Sequence, residues 1–213
     1  MKLYVVSGLG ADFKVLERIK FPAHVEVVFL KWLVPHKNED FRNYVARMSE
    51  KINTDEPFYL LGYSFGGILV QEINQIKPAE KVIILGSIKS HKEKSTFIKS
   101  GSLTKIPMLL PTQFFGDFSI NLYSKIRRKV DPKNPKILQY FRMRDPYYLK
   151  WSIEKICEWK SEENNNTIQI LGDQDIVFPI KNSQPDYIIP GGTHLFPATK
   201  AKEVSELLQK ILD

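Results

Sequence analysis

Cysteine is nearly missing from this chain: Cys157 stands alone among 213 residues. An internal disulfide is therefore excluded, and burial has to hold the fold together, as expected for a reducing compartment. Histidine is almost as scarce, with four residues, and no Cys/His spacing resembles a metal site, so the chemistry is expected to need neither metal nor cofactor. Long apolar runs are absent too. The opening Met1-Lys2-Leu3-Tyr4-Val5-Val6-Ser7-Gly8 has too few apolar residues before Gly8 for a secretory signal or a bilayer span. It reads as a first core strand, and a cytoplasmic protein without a membrane span is expected. Internal repeats are missing as well. With 43% apolar and 26% charged residues the composition fits one globular domain with a full core, which excludes a disordered chain.

Acidic residues are thin in one stretch. Lys89 to Lys160 holds sixteen Lys and Arg against six Asp and Glu, whereas the rest of the chain holds fifteen against eighteen, so the net charge of +7 belongs to that segment. Its run Lys125, Arg127, Arg128 and Lys129 reads first as a solvated helix face, and second as a field that steers an anionic substrate such as an acyl thioester. Tyr123 and Tyr140 nearby suit base stacking. No nucleic-acid-binding motif accompanies them, and charge alone gives non-specific affinity, so no specific nucleic-acid partner is expected.

What the chain does have is alternation. Short apolar runs at Leu3 to Val6, Val25 to Leu30, Phe58 to Leu61, Val82 to Leu85, Ile168 to Leu171 and Tyr187 to Ile189 predict strands. Asp12 to Ile19, Glu39 to Ile52, Ser64 to Ile76 and Thr199 to Leu212 carry helical spacing between them, the third stopped by Pro78. This is the pattern of an α/β protein with a mostly parallel sheet and helices on both faces. Residues 87–166 break the alternation with Pro107, Pro111, Pro132, Pro135 and Pro146 between short helical patterns. They read as an inserted helical lid, with the polar run Ser161 to Asn166 as the return hinge and residues 1–86 and 167–213 as the core. Aromatic and aliphatic residues such as Phe97, Leu109, Phe115, Tyr148 and Trp151 would wall a pocket suited to an acyl chain or aromatic group.

Between the third strand and the third helix stands Gly62-Tyr63-Ser64-Phe65-Gly66-Gly67. A serine on a sharp strand-to-helix turn takes a strained backbone conformation, which requires small residues two positions away on either side. Gly62 and Gly66 meet that demand. A serine hydroxyl is a poor nucleophile at neutral pH and needs a histidine base, itself held by a carboxylate. His24, His36 and His91 lie where solvated side chains are expected. His194, in Gly191-Gly192-Thr193-His194 between the last strand and the last helix, is the candidate base. Asp173 and Asp175 follow the fifth strand in one loop, and their positions alone do not separate them as the acid. Cys157 sits on an amphipathic helical pattern with no glycine turn and is not expected to act as a nucleophile. Serine, acid, histidine is the chain order of one triad-bearing fold. An oxyanion hole needs two backbone amides; Phe65 supplies one, and Leu9 in the loop Ser7 to Asp12 supplies the other.

Taken together, the chain resembles the alpha/beta-hydrolase fold family over nearly its whole length, least in the lid. The elbow GYSFGG matches the family's small-x-nucleophile-x-small-small pattern. GDQDIVFP is similar to the family's acid segment, which implies Asp175 as the acid, and GGTHLF is similar to its histidine loop. The resemblance thus implies Ser64, Asp175 and His194 as a triad, with Phe65 as the first oxyanion donor. Three departures stand out. Ser7-Gly8 replaces the common His-Gly of the oxyanion loop, Thr193 replaces a frequent glycine, and the chain starts at the strand before that loop, implying that the family's first antiparallel strands are absent. Serine at the elbow sets the chain apart from the aspartate-using dehalogenase and epoxide hydrolase branches. The implied activity is hydrolysis of a carboxylic ester or thioester of a small to medium acyl group. A non-catalytic scaffold that binds a ligand or a protein is the alternative.

Overall fold

The computed structural model describes residues 1–117, 121, 139–161 and 166–213. Lys125 to Lys129, Tyr123, Pro132, Pro135 and most of the expected hinge fall outside the described residues. Six strands form one sheet in the order β2-β1-β3-β4-β5-β6, with β1 at Lys2–Val6, β2 at Glu26–Phe29, β3 at Phe58–Tyr63, β4 at Lys81–Leu85, β5 at Thr167–Gly172 and β6 at Tyr187–Ile189. All five pairings are parallel. The apolar runs explain why. A strand covered on both faces has no side to give to polar residues, so it reads as continuous Val, Ile and Leu.

Successive residues of each strand feed opposite cores. Tyr4, Val6, Leu60, Val82 and Ile84 pack on one face, with α1 (Phe41–Ser49), α2 (Phe65–Ile76) and α5 (Pro146–Glu158). Leu3, Val5, Leu61, Ile83 and Leu85 pack on the other, with α7 (Ala201–Leu212) and Val15 and Leu16 of the loop after β1. Helices therefore cover both faces, as the alternation implies.

Some element boundaries differ from the sequence expectation. Asp12 to Ile19 is a single 3-10 turn at Phe13–Leu16 instead of a helix. Ile19 bonds back three residues to Leu16, which leaves Val15, Leu16 and Ile19 all buried before Pro22 ends the segment. Helix α1 is shorter than Glu39 to Ile52: the Asp40 side chain caps its start on the Asn43 amide, and i→i+3 bonds at Glu50 and Ile52 tighten its end. The last helix is split at Lys200 into α6 (Phe196–Thr199) and α7. Between β4 and β5 lie α3 (Thr96–Thr104), α4 (Ile106–Leu109), a 3-10 turn at Thr112–Phe115, and α5. Pro107 and Pro146 do not break helices there. They stand in first turns, where the missing N–H has no intrahelical partner to lose.

Candidate active site

Ser64 follows β3 directly with φ 55° and ψ −121°, and α2 starts at the next residue. That conformation is costly for a residue with a side chain, and close packing on both sides holds it. A side chain on Gly62 would collide with the backbone of Gly66, and one on Gly66 with the carbonyls of Val6 and Ser7. The Ser64 amide is tied to the Leu85 carbonyl of β4 at 2.9 Å.

The acid and base loops are brought together by another close approach. Gly172, at the end of β5, lies directly against the backbone of Gly192, and the Gln174 amide donates to the Gly192 carbonyl at 2.9 Å. Asp175 is therefore turned inward and buried, while Asp173 stays exposed. One Asp175 oxygen accepts the amides of Val177 and Phe178 at 2.8 and 3.0 Å, and the other meets His194 Nδ1 at 2.8 Å. On its far side His194 Nε2 lies 2.9 Å from Ser64 Oγ. A carboxylate can only accept, so Nδ1 carries the proton, and Nε2 is left to accept from the serine hydroxyl. The imidazole lies against the rings of Tyr63 and Phe178, with centroids 5.5 and 5.7 Å away, and the Tyr63 hydroxyl donates to the His194 carbonyl at 2.9 Å. Ser64, Asp175 and His194 thus meet in one chain of hydrogen bonds.

Phe65 follows the serine directly, and the loop that carries Leu9 approaches it through Gly8. A methyl group on Gly8 would stand 3.3 Å from Ser64 Cβ, so the loop after β1 rests against the elbow. No acceptor among the described residues takes the amide of Leu9 or of Phe65. The loop itself is densely bonded. Ser7 Oγ donates to the Ala11 carbonyl at 2.5 Å, the Ala11 amide and Trp32 Nε1 donate to the Gly8 carbonyl at 3.0 and 2.9 Å, and the Gly10 carbonyl accepts the amides of Arg142 and Met143. The Gly10 amide donates to the Tyr148 hydroxyl at 3.3 Å. Burial pushes the Tyr148 phenol well above its ordinary pKa, so the group stays neutral there.

The sequence matches no protein-family profile and no curated protein. Solved structures do match. A thermophilic esterase from Thermogutta terrifontis has a TM-score of 0.67 at 13% identity, covering 100% of this chain and 89% of that one. A structure from a study of carboxylesterases of Nitrososphaera gargenis has a TM-score of 0.67 at 12% identity, covering 99% and 89%. A lipase-esterase related protein from Clostridium acetobutylicum has a TM-score of 0.63 at 16% identity, covering 97% and 92%. This chain has the alpha/beta-hydrolase fold. In that fold, ligands meet the loops at the carboxyl ends of the strands, which is where Ser64, Asp175, His194 and the Leu9 loop all lie.

The other candidates lie elsewhere. His24 and His36 are exposed, and His91 Nδ1 sits on the Ser161 carbonyl at 2.8 Å. Cys157 is buried against the same core as α2, and burial pushes its thiol up, away from the reactive thiolate. No three His, Cys, Asp or Glu residues cluster as metal ligands among the described residues. No described helix is long and apolar enough to cross a membrane. Sequence reasoning missed Trp32 and Tyr63 and took Tyr148 only as pocket wall. For Trp32 the available signal was slight: an indole at the carboxyl end of a short strand, in a chain with three tryptophans.

Proposed function

We propose that this protein is a serine hydrolase that cleaves a carboxylic ester or thioester of a small to medium acyl group through an acyl-enzyme. One observation carries the reading: His194 is hydrogen-bonded to Ser64 Oγ on one side and to buried Asp175 on the other. Ser64 Oγ attacks the carbonyl carbon as its proton passes to His194 Nε2, and Asp175 stabilises the imidazolium that forms. The amides of Leu9 and Phe65 donate hydrogen bonds to the carbonyl oxygen and stabilise the negative charge that develops on it. His194 then protonates the departing alcohol or thiol. Water gives a proton to the same nitrogen as it attacks the acyl-enzyme, and His194 returns that proton to Ser64 Oγ as the acid leaves. The esterases among the structural neighbours favour an ester bond. Of the expected lid, residues 87–166, the described helix α5 covers one face of the sheet with α1 and α2 and reaches the Leu9 loop through the Tyr148 hydroxyl, which supports a role in bounding the acyl pocket.

The test is turnover of nitrophenyl esters from two-carbon to long acyl chains, together with an acyl-coenzyme A, by wild type, Ser64→Ala and His194→Ala. Hydrolysis lost in both variants is the expected result, and its chain-length optimum sizes the pocket. Activity unchanged in Ser64→Ala would refute the assignment.

A further inference from the structure

We infer that Trp32 is a positioning residue that holds both oxyanion amides in register, an inference that rests on the hydrolase reading above. Trp32 follows β2, is 9% exposed, and donates from Nε1 to the Gly8 carbonyl at 2.9 Å. The carbonyl of Gly8 and the amide of Leu9 belong to one planar trans peptide and point in opposite directions. Fixing the carbonyl therefore aims the Leu9 N–H, and the Ala11 amide on the same oxygen leaves that plane little freedom. The same indole lies flat on the ring of Phe65, with centroids 5.2 Å apart and 6° between planes. Phe65 is fully buried and supplies the second amide. One rigid side chain thus touches the elbow residue by its face and the loop by its edge.

Without such a tie the loop would be hard to keep in place. Gly8 and Gly10 flank Leu9, and glycine has the widest backbone freedom, so an ordered loop there has the most entropy to lose. Tyr148 closes the other side, its ring 5.8 Å from the indole and its hydroxyl on the Gly10 amide. A tryptophan that merely filled the core would also want an acceptor for its N–H. The two roles differ in what is lost when the N–H is removed: stability alone, or stabilisation of the transition state.

The experiment replaces Trp32 with phenylalanine and, separately, with the benzothiophene isostere of tryptophan, in which sulfur takes the place of N–H and the ring stack survives. Steady-state kinetics on the best ester, the rate of Ser64 phosphonylation and the unfolding midpoint are measured for each. A single oxyanion donor is worth about 100-fold or more. For a mis-aimed one the expected result is kcat lower by about tenfold to 100-fold, KM within about twofold, and phosphonylation slowed by the same factor as kcat. Should Trp32→Phe fail to fold, the isostere decides. Wild-type kcat and phosphonylation in the isostere, or a loss confined to KM, would overturn the positioning role and leave the hydrolase reading standing. Absence of Ser64-dependent turnover and labelling in the wild type would sink both.

Discussion

The carboxyl ends of the strands and the segment between β4 and β5 are built on opposite terms. Around Ser64 the backbone is packed so closely that Gly62, Gly66 and Gly172 each face another stretch of main chain with no room for a side chain. In α3 and α4, by contrast, Phe97 is 87% exposed, Leu103 86% and Leu109 78%, well beyond any apolar side chain of the sheet. The first region fixes geometry through main-chain contacts, while the exposed side chains of α3 and α4 are free to vary; α5, in the same segment, is not, since Tyr148 is buried and meets the Gly10 amide. Under the proposed hydrolase reading, the elbow and the loops at Asp175 and His194 are expected to tolerate little substitution, and the surface of α3 and α4 much.

That contrast can be broken or sharpened by mutation. The largest effect is expected from Asp175→Asn, which leaves an amide where His194 Nδ1–H needs an acceptor and so favours the wrong tautomer. Serine proteases altered in this way lose about 10⁴-fold in kcat, and a drop of at least about 10³-fold is expected here, read from ester turnover. Gly66→Ala comes next. Its methyl group has to displace the Val6 and Ser7 carbonyls, at a cost of about 1–3 kcal/mol or more in unfolding free energy, together with loss of turnover as Ser64 moves. Denaturant midpoints and activity measured on one preparation check both. Leu60→Ala, fully buried in β3, should cost about 2–5 kcal/mol by leaving a cavity in the core. Leu103→Ala should stay within about 0.5 kcal/mol of wild type. Equal losses at Leu60 and Leu103 would erase the distinction between the two regions. Smallest of all, Cys157 in the native protein should react with a thiol reagent at neutral pH at least about tenfold more slowly than in denaturant, because burial disfavours its thiolate.

How far the sequence reveals this molecule depends on the range over which each feature is set. The six strands stand within two residues of the apolar runs that predict them, since burial on both faces writes a local signal. Ser64 is readable for the same reason: the steric demand of the elbow falls on Gly62 and Gly66, two residues away on either side. The choice of Asp175 over Asp173 needs the family resemblance, because it is made by a close approach of Gly172 to Gly192 that no neighbouring residue announces. Trp32 meets Gly8 across 24 residues of chain, and Tyr148 meets Gly10 across 138, so their contributions to the Leu9 loop have no local pattern at all. Helix ends fared worst. At Asp12 to Ile19 an apolar spacing that suits a helix is met instead by one tight turn, because burial of Val15, Leu16 and Ile19 is satisfied either way.

The most direct test of the Ser64–His194–Asp175 assignment is intact-mass measurement after exposure to an activated alkyl phosphonate, with time courses for wild type, Ser64→Ala and His194→Ala. The account predicts a single adduct in the wild type, none in Ser64→Ala, and formation slowed by at least about 100-fold in His194→Ala, because the serine loses its base. An adduct that survives Ser64→Ala, or one that forms at the same rate without His194, would contradict it.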